Sequence, residues 1–169
     1  MNQLPCPRRW PNPRVLAVLL ILLAPCQAET VFLPLTVAGQ AFRVELALTP
    51  AARAQGLMYR DAIGPDEGML FVYPTAQPID FYMKNCRTEI DVAFLDAEAR
   101  VVSMHEMRVE PPRRAEETDA DYTSRLPRYP SVRPALFALE VRGGRLREMG
   151  VRVGDPVGFP RDRLIPLAR

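Results

Sequence analysis

Short segments in which apolar and polar residues alternate dominate the hydrophobic pattern of the chain. Residues 31–37 place apolar side chains at odd positions and residues 42–48 at even positions, on either side of the turn-forming stretch VAGQA. A period of two is typical of a strand with one buried face, so these segments predict a β-hairpin. Pro34 cannot donate a backbone hydrogen bond, and the first strand is therefore expected at an edge of its sheet.

Five further segments have the composition of strands and are bounded by Pro, Gly or Asp: 68–73, 79–84, 90–95, 100–109 and 135–142. Between the hairpin and these segments, Thr49 followed by Pro50 predicts a helix start, and Gly56 ends the run of helix formers. A second helical turn is predicted just before Gly150. Many short strands with one or two short helices predict a mainly β fold, an antiparallel jelly-roll-like sandwich or barrel.

The segment 111–134 lacks this periodicity. Its five prolines, five arginines and four acidic residues leave few apolar positions, which indicates a long, polar, Pro/Arg-rich loop rather than further strands or helices. Loops longer than about 12 to 15 residues are usually functional or mobile.

The apolar pattern changes phase in the stretch KNCRTE, residues 84–89. Apolar side chains occupy odd positions in residues 79–83 but even positions in residues 90–94, so one straight strand cannot present both sets to one core. The chain must therefore bend or bulge in this stretch. Because such breaks often re-aim polar side chains at functional sites, a ligand site is expected near Lys84 and Asn85.

The N-terminal segment differs from the rest of the chain in charge and hydropathy. Three arginines precede an uncharged apolar run, residues 15–24, which is shorter than the roughly 20 residues that span a bilayer. Small residues at Cys26 and Ala28 fit a signal-peptidase site before Glu29. We therefore predict that residues 1–28 are a signal peptide and that the protein is exported, to the periplasm or the extracellular space of a bacterium. The alternatives are an uncleaved membrane anchor and lipidation at Cys26, and in either case only this segment would contact the membrane.

Removal of this segment changes the charge balance. The chain has 22 Lys and Arg against 20 Asp and Glu, and three arginines lie within residues 1–28, so residues 29–169 carry 19 basic and 20 acidic side chains. This near-neutral balance gives no electrostatic basis for binding nucleic acid. Of the three cysteines only Cys86 remains, so no internal disulfide can form. Residues 29–169 are expected to fold as a single β-rich domain around a packed core.

A set of short motifs follows in order along residues 31–159. They are Gly56-Leu57-Met58 with Arg60, Gly68-Met69-Leu70-Phe71, Phe81-Tyr82-Met83-Lys84-Asn85, Asp91 with Phe94-Leu95-Asp96, Leu139-Glu140 and Gly154-Asp155. Together they resemble the bacterial and archaeal domain of unknown function 192 family. The resemblance implies a compact, mostly β, jelly-roll-like protein that is often exported, and it implies no established activity.

The chain departs from the pattern of this family at several points. Cys86 stands where the family usually has threonine, Glu89 stands where proline is common, and the 111–134 segment is longer than typical. Because threonine can replace Cys86, a thiol nucleophile is not expected to be chemistry that the family shares.

The candidate catalytic residues are Asp91 and His105, the only histidine of the chain. A four-residue turn at 96–99 would pair Ile90 with His105 and leave the histidine held by packing on an apolar face, which is the preferred interpretation. A slip of one residue would instead pair Asp91 with His105, an acid–base pair. The turn has no glycine that would exclude this second register.

Sulfur and imidazole ligands occur together in SMHEM, residues 103–107, a composition that Cu(I) sites also use. On a strand, however, Met104 and Met107 point to opposite faces. Methionine as core filler is the simpler interpretation, so the sequence predicts no metal site and no cofactor.

These patterns favour a binding module over an enzyme. The chain has no Gly-rich phosphate loop, no G-x-S-x-G motif and no C-x-x-C motif. We predict an exported, monomeric, non-catalytic β-sandwich protein that binds a small ligand or a cell-envelope component and no nucleic acid. The predicted ligand-binding residues are Lys84, Asn85, Arg60 and Glu140. The alternative is a hydrolase that uses the acid–base pair described above, near the 84–91 bend.

Overall fold

The structure, a computed structural model, describes residues 31–169, so the predicted signal peptide lies outside the described residues. The strands are β1 Phe32–Val37, β2 Gln40–Ala47, β3 Glu67–Gln77, β4 Asp80–Phe81, β5 Ile90–Leu95, β6 Val101–Met107, β7 Tyr129–Pro130, β8 Ala135–Arg142 and β9 Val157–Gly158. The helices are α1 Pro50–Gln55, α2 Asp119–Ser124, α3 Arg145–Glu148 and α4 Arg161–Leu164, followed by a 3-10 turn at Ile165–Leu167. Within this part of the chain, no helix is long and apolar enough to cross a membrane.

Seven strands form one curled, half-barrel sheet in the order β6-β5-β8-β3-β2-β1-β9, and β4 pairs with β7 in a separate two-stranded sheet. The predicted mainly β fold with few short helices is therefore confirmed. All strand pairs are antiparallel except β2 with β3, which run parallel. The parallel pair arises because α1 and the segment 56–66 carry the chain back to the end of the sheet where β2 began.

The first hairpin and first helix follow the sequence pattern closely. Pro34 lies opposite Arg43 in the β1–β2 ladder, and β9 pairs only with the last two residues of β1, so the proline lies on the open edge of its strand. The hydroxyl of Thr49 accepts a hydrogen bond from the backbone N–H of Ala52 at 3.2 Å, which caps the start of α1. Gly150 follows α3 with φ +70°, as expected for a helix-terminating glycine.

Both faces of the sheet are buried, so each inner strand contributes to two cores. On β8, Leu139 packs into a C-terminal core that α3 and α4 close. Ala138 points to the opposite face and packs into a second core, closed by residues of the segments 56–63 and 79–86. Ile79 and Met83 from before the predicted break enter this second core together with Ile90 from β5, which confirms that the chain changes register between them.

The β5–β6 hairpin differs from the predicted register. Val92, rather than Ile90, pairs with His105. One residue is added in the turn, where Ala99 has φ +60°, and another by a bulge at Val102, so the pairing shifts by two positions.

The segment 111–134 is not the continuous loop that the sequence predicts, because it contains α2 and β7. Thr118 and Asp121 form a reciprocal capping box at the start of α2. Tyr122 is only 1% exposed, and its hydroxyl accepts a hydrogen bond from the backbone N–H of Asn85 at 3.2 Å. The loop prediction rested on the proline and arginine content of the segment and missed the helix-start signal that Thr118 and Asp121 provide.

Candidate functional site

A cavity of about 240 Å³ opens on the face of the sheet that carries the second core. The end of α1, β3, the 80–86 segment and β8 surround it. The lining residues that matter most for its chemistry are Gly56, Phe71, Tyr73, Phe81, Cys86 and Glu140. The rings of Phe71 and Phe81 stand edge to face with centroids 4.9 Å apart, so one wall of the cavity is aromatic.

Glu140 is the unusual residue of this cavity. It lies near the middle of the sheet, opposite Met69 on β3 and Val92 on β5, and is 7% exposed. Its Oε2 atom is buried and has no hydrogen-bond donor among the described residues. Burial raises the pKa of this carboxyl to about 8, against a weaker opposing influence from Arg60.

Two glycines make room around Glu140. Gly56 has φ +48°, and a Cβ there would lie 3.4 Å from the ring of Phe71 and 3.8 Å from Oε2 of Glu140. Gly68 lets β3 approach β8 closely, since a Cβ there would lie 2.1 Å from the backbone oxygen of Glu140. A larger residue at Gly68 would force β3 and β8 apart, whereas at Gly56 the added Cβ would fit but the positive φ would strain the backbone.

Lys84, one of the predicted ligand-binding residues, lines the cavity, but its ammonium group already forms an ion pair within the protein. Its Nζ donates to Oδ2 of Asp119 on α2 at 2.7 Å, and only 16% of its side chain is exposed. The long 111–134 segment therefore holds one side of the cavity in place.

Cys86 and Tyr73 are neutral groups of the lining. Burial, together with the nearby Glu140, raises the pKa of the Cys86 thiol to about 12. Burial also raises the pKa of Tyr73 to about 12, although the Arg53 guanidinium acts in the opposite direction. Because a thiolate is the reactive form of cysteine, this Cys86 is poorly suited to act as a nucleophile.

Arg60 and Asn85, also predicted to bind ligand, do not line this cavity. Both terminal nitrogens of the Arg60 guanidinium donate to the carboxylate of Glu45 at 2.6 Å, and this pairing raises the arginine's pKa. The Asn85 side chain donates to the hydroxyl of Tyr59 at 2.7 Å, and Asn85 adopts φ +54°. These contacts fix the segments that border the cavity.

The proposed acid–base pair of Asp91 and His105 does not form. The strand register places the two residues on opposite faces of the sheet, because Asp91 pairs with Glu106 and His105 with Val92. The Asp91 carboxylate accepts hydrogen bonds from the backbone N–H groups of Gly144 and Leu146, both at 2.9 Å. His105 Nε2 contacts the backbone oxygen of Pro130 at 2.8 Å.

The Asp91 carboxylate therefore anchors the start of α3. Its burial raises its pKa, and the two backbone hydrogen bonds oppose that shift. In residues 31–169 no group of three or more His, Cys, Asp or Glu side chains is arranged to hold a metal ion.

Most of the cavity residues were missed as site residues by the strand pattern, which treats them as core. A signal was nevertheless present in the motifs that carry the family resemblance. Gly56, Phe71, Phe81, Lys84 and Glu140 come from four separate motifs, and the fold brings all five to one cavity.

Solved structures similar to this chain include two bacterial proteins. A protein of unknown function from Novosphingobium aromaticivorans DSM 12444 is 31% identical, with a TM-score of 0.62, and the match covers 76% of this chain and 85% of that one. A protein from Sinorhizobium meliloti 1021, described as a candidate transcription regulator, is 26% identical, with a TM-score of 0.64, over 80% of this chain and 98% of that one. No curated protein sequence matches the chain.

The model of the family DUF192, described as "Uncharacterized ACR", matches residues 33–159. This span covers most of the chain and includes every residue of the cavity discussed above. The protein therefore belongs to the DUF192 family.

Proposed function

We propose that this protein is an exported, non-catalytic module that binds a small ligand in the cavity beside Glu140. The observation that carries the proposal is the Oε2 atom of Glu140, which is buried without a donor beside a cavity of about 240 Å³. A buried polar atom without a partner costs free energy, on the order of 1 to 3 kcal/mol, and an incoming ligand can remove that cost.

The dimensions of the cavity favour a small ligand. Its volume of about 240 Å³ lies below the roughly 300 to 1,000 Å³ of sites for drug-sized molecules. Apolar and aromatic side chains combined with a few polar groups are the usual lining of ligand sites, and this cavity combines Phe71 and Phe81 with Glu140. We do not propose DNA binding for this chain, although the Sinorhizobium protein is described as a candidate transcription regulator. Residues 29–169 contain 19 basic and 20 acidic residues and so have no surplus of positive charge for binding DNA.

The proposal is tested by NMR on the uniformly 15N-labelled domain of residues 29–169. Three probes of similar shape but different charge are titrated separately: benzylamine, benzyl alcohol and sodium benzoate. At least one probe is expected to shift the amide signals of Gly56, Tyr73 and Cys86, which border the cavity. The matched variant Cys86→Phe fills part of the cavity and should abolish these shifts. If none of the three probes shifts the cavity amides, the protein does not use this cavity for small ligands.

A further inference from the structure

The basic side chains around Glu140 are all engaged with other acceptors. Arg60 donates to Glu45 through two nitrogens, and Lys84 donates to Asp119. Arg53 donates to the backbone oxygens of Leu48, Val72 and Arg169. None of these three side chains therefore donates a hydrogen bond to the Oε2 atom of Glu140.

The apolar part of the lining suits an organic cation. Ring faces carry negative charge density and attract cations, and Phe71 and Phe81 both line the cavity with their rings edge to face. The thioether of Met58 adds a soft, polarizable surface. A site for a purely apolar ligand would gain nothing from a buried carboxyl, because a leucine or methionine would occupy the same volume without a polar atom to satisfy.

We propose that the ligand is a small primary amine, bound as its ammonium ion, which donates hydrogen bonds to the carboxylate of Glu140 while its carbon skeleton packs against Phe71 and Phe81. This inference rests on the function proposed above and specifies the chemical class of the ligand. The ammonium group takes the place of the missing donor, and a charge-assisted hydrogen bond of this kind is stronger than one between neutral groups.

Binding of an ammonium ion changes the protonation state of Glu140. In the empty cavity the carboxyl is mostly protonated at pH 7, since its pKa is about 8. The bound ammonium pairs with the carboxylate, so the carboxyl proton leaves to solvent and nearly one proton is released for each amine bound. The other charged or titratable groups that line the cavity are Arg53, Tyr73, Asp80, Tyr82, Lys84 and Cys86.

Isothermal titration calorimetry of the domain with the same three probes tests whether the ligand is an amine. Benzylamine is expected to bind at least about tenfold more tightly than benzyl alcohol, and benzoate more weakly still. Between pH 6 and pH 7 the affinity for benzylamine should rise about tenfold, because one proton is displaced, and the rise should level off towards pH 8, where about half of the carboxyl is already ionised. Titrations at pH 7 in phosphate and in Tris, which differ in ionisation enthalpy, should report the released proton directly.

Two variants sharpen the test. Glu140→Gln should remove the preference for benzylamine, the proton release and the pH dependence. Glu98→Gln changes an exposed acid on the β5–β6 turn and should leave all three unchanged. If Glu140→Gln fails to fold, the probe preference, the proton release and the pH dependence of the unmodified protein still test the proposal.

Two results would overturn the amine proposal while leaving ligand binding at the cavity intact. One is benzyl alcohol or benzoate binding as tightly as benzylamine, and the other is benzylamine binding without proton release. Absence of binding by all three probes would instead reject the proposed function itself.

Discussion

At the scale of single residues, Glu140 has the clearest energetic consequence. Its carboxyl has a pKa of about 8 in the folded protein, compared with the ordinary value of 4.5. Between these two values the folded chain holds a proton that the unfolded chain has lost, so the free energy of unfolding falls as pH rises through this window. Because each pKa unit corresponds to about 1.4 kcal/mol, this fall amounts to several kcal/mol.

We therefore expect Glu140→Leu to flatten the pH dependence of stability. Urea unfolding at pH 5 and at pH 8 should show a loss of several kcal/mol in the unmodified domain and a much smaller loss in the variant. Asp91 also has a raised pKa, but it is present in both proteins and cancels in the comparison. Glu98→Gln serves as the exposed control. Equal pH slopes for the unmodified domain and Glu140→Leu would contradict the burial of an unpartnered carboxyl.

Asp91 is expected to be a structural residue. Asp91→Ala leaves two backbone N–H groups, those of Gly144 and Leu146, without their acceptor, and should lower the free energy of unfolding by about 2 to 4 kcal/mol. The matched variant His105→Phe keeps a ring at its position and loses one hydrogen bond, to Pro130, so a cost of about 1 kcal/mol is expected. Chemical denaturation measures both. A negligible effect of Asp91→Ala would show that this carboxylate does not hold α3.

At the scale of elements, α2 depends on a single buried side chain. Tyr122→Ala removes the only buried residue of α2 and should release the helix from the segment that carries Asn85. Hydrogen exchange is then expected to become faster in α2 and at Asn85, while β8 stays protected.

Tyr122→Phe is the matched control for this element. It keeps the ring and loses only the hydrogen bond from Asn85, so it should cost about 1 kcal/mol and leave the exchange of α2 close to that of the unmodified protein. Unchanged exchange of α2 in Tyr122→Ala would mean that the Lys84–Asp119 ion pair and the capping box hold the helix without the ring.

At the scale of the whole molecule, we propose that the full chain is processed during export. Expression of residues 1–169 in a Gram-negative bacterium should yield a periplasmic protein whose intact mass corresponds to a chain that begins at Glu29. Ala28→Lys replaces the small residue that signal peptidase requires and should leave the precursor uncleaved. Recovery of unmodified full-length protein from the membrane would favour an uncleaved anchor, and a lipid mass on Cys26 would favour lipidation.

The local conformation of the chain and the alternation of side chains between the two faces of each strand could be predicted from the sequence. Alternation identified the first hairpin, Thr49 and Pro50 marked the start of α1, and the change of phase across residues 84–89 required a break in the strand. These features depend on residues that are close in sequence, so a short window contains all the information that determines them.

Only the tertiary structure decided which residues meet. The extra turn residue at Ala99 would by itself have paired Asp91 with His105, and the bulge at Val102 then moved the pairing by one more residue and put the two on opposite faces. Glu140 became buried because β8 lies inside a sheet that is covered on both faces. Strand pairing and burial depend on contacts between residues far apart in sequence, where one added residue changes every partner along a strand. The sequence by itself therefore determined most of the elements and the family, whereas long-range packing determined the cavity and the unpartnered Oε2 atom of Glu140.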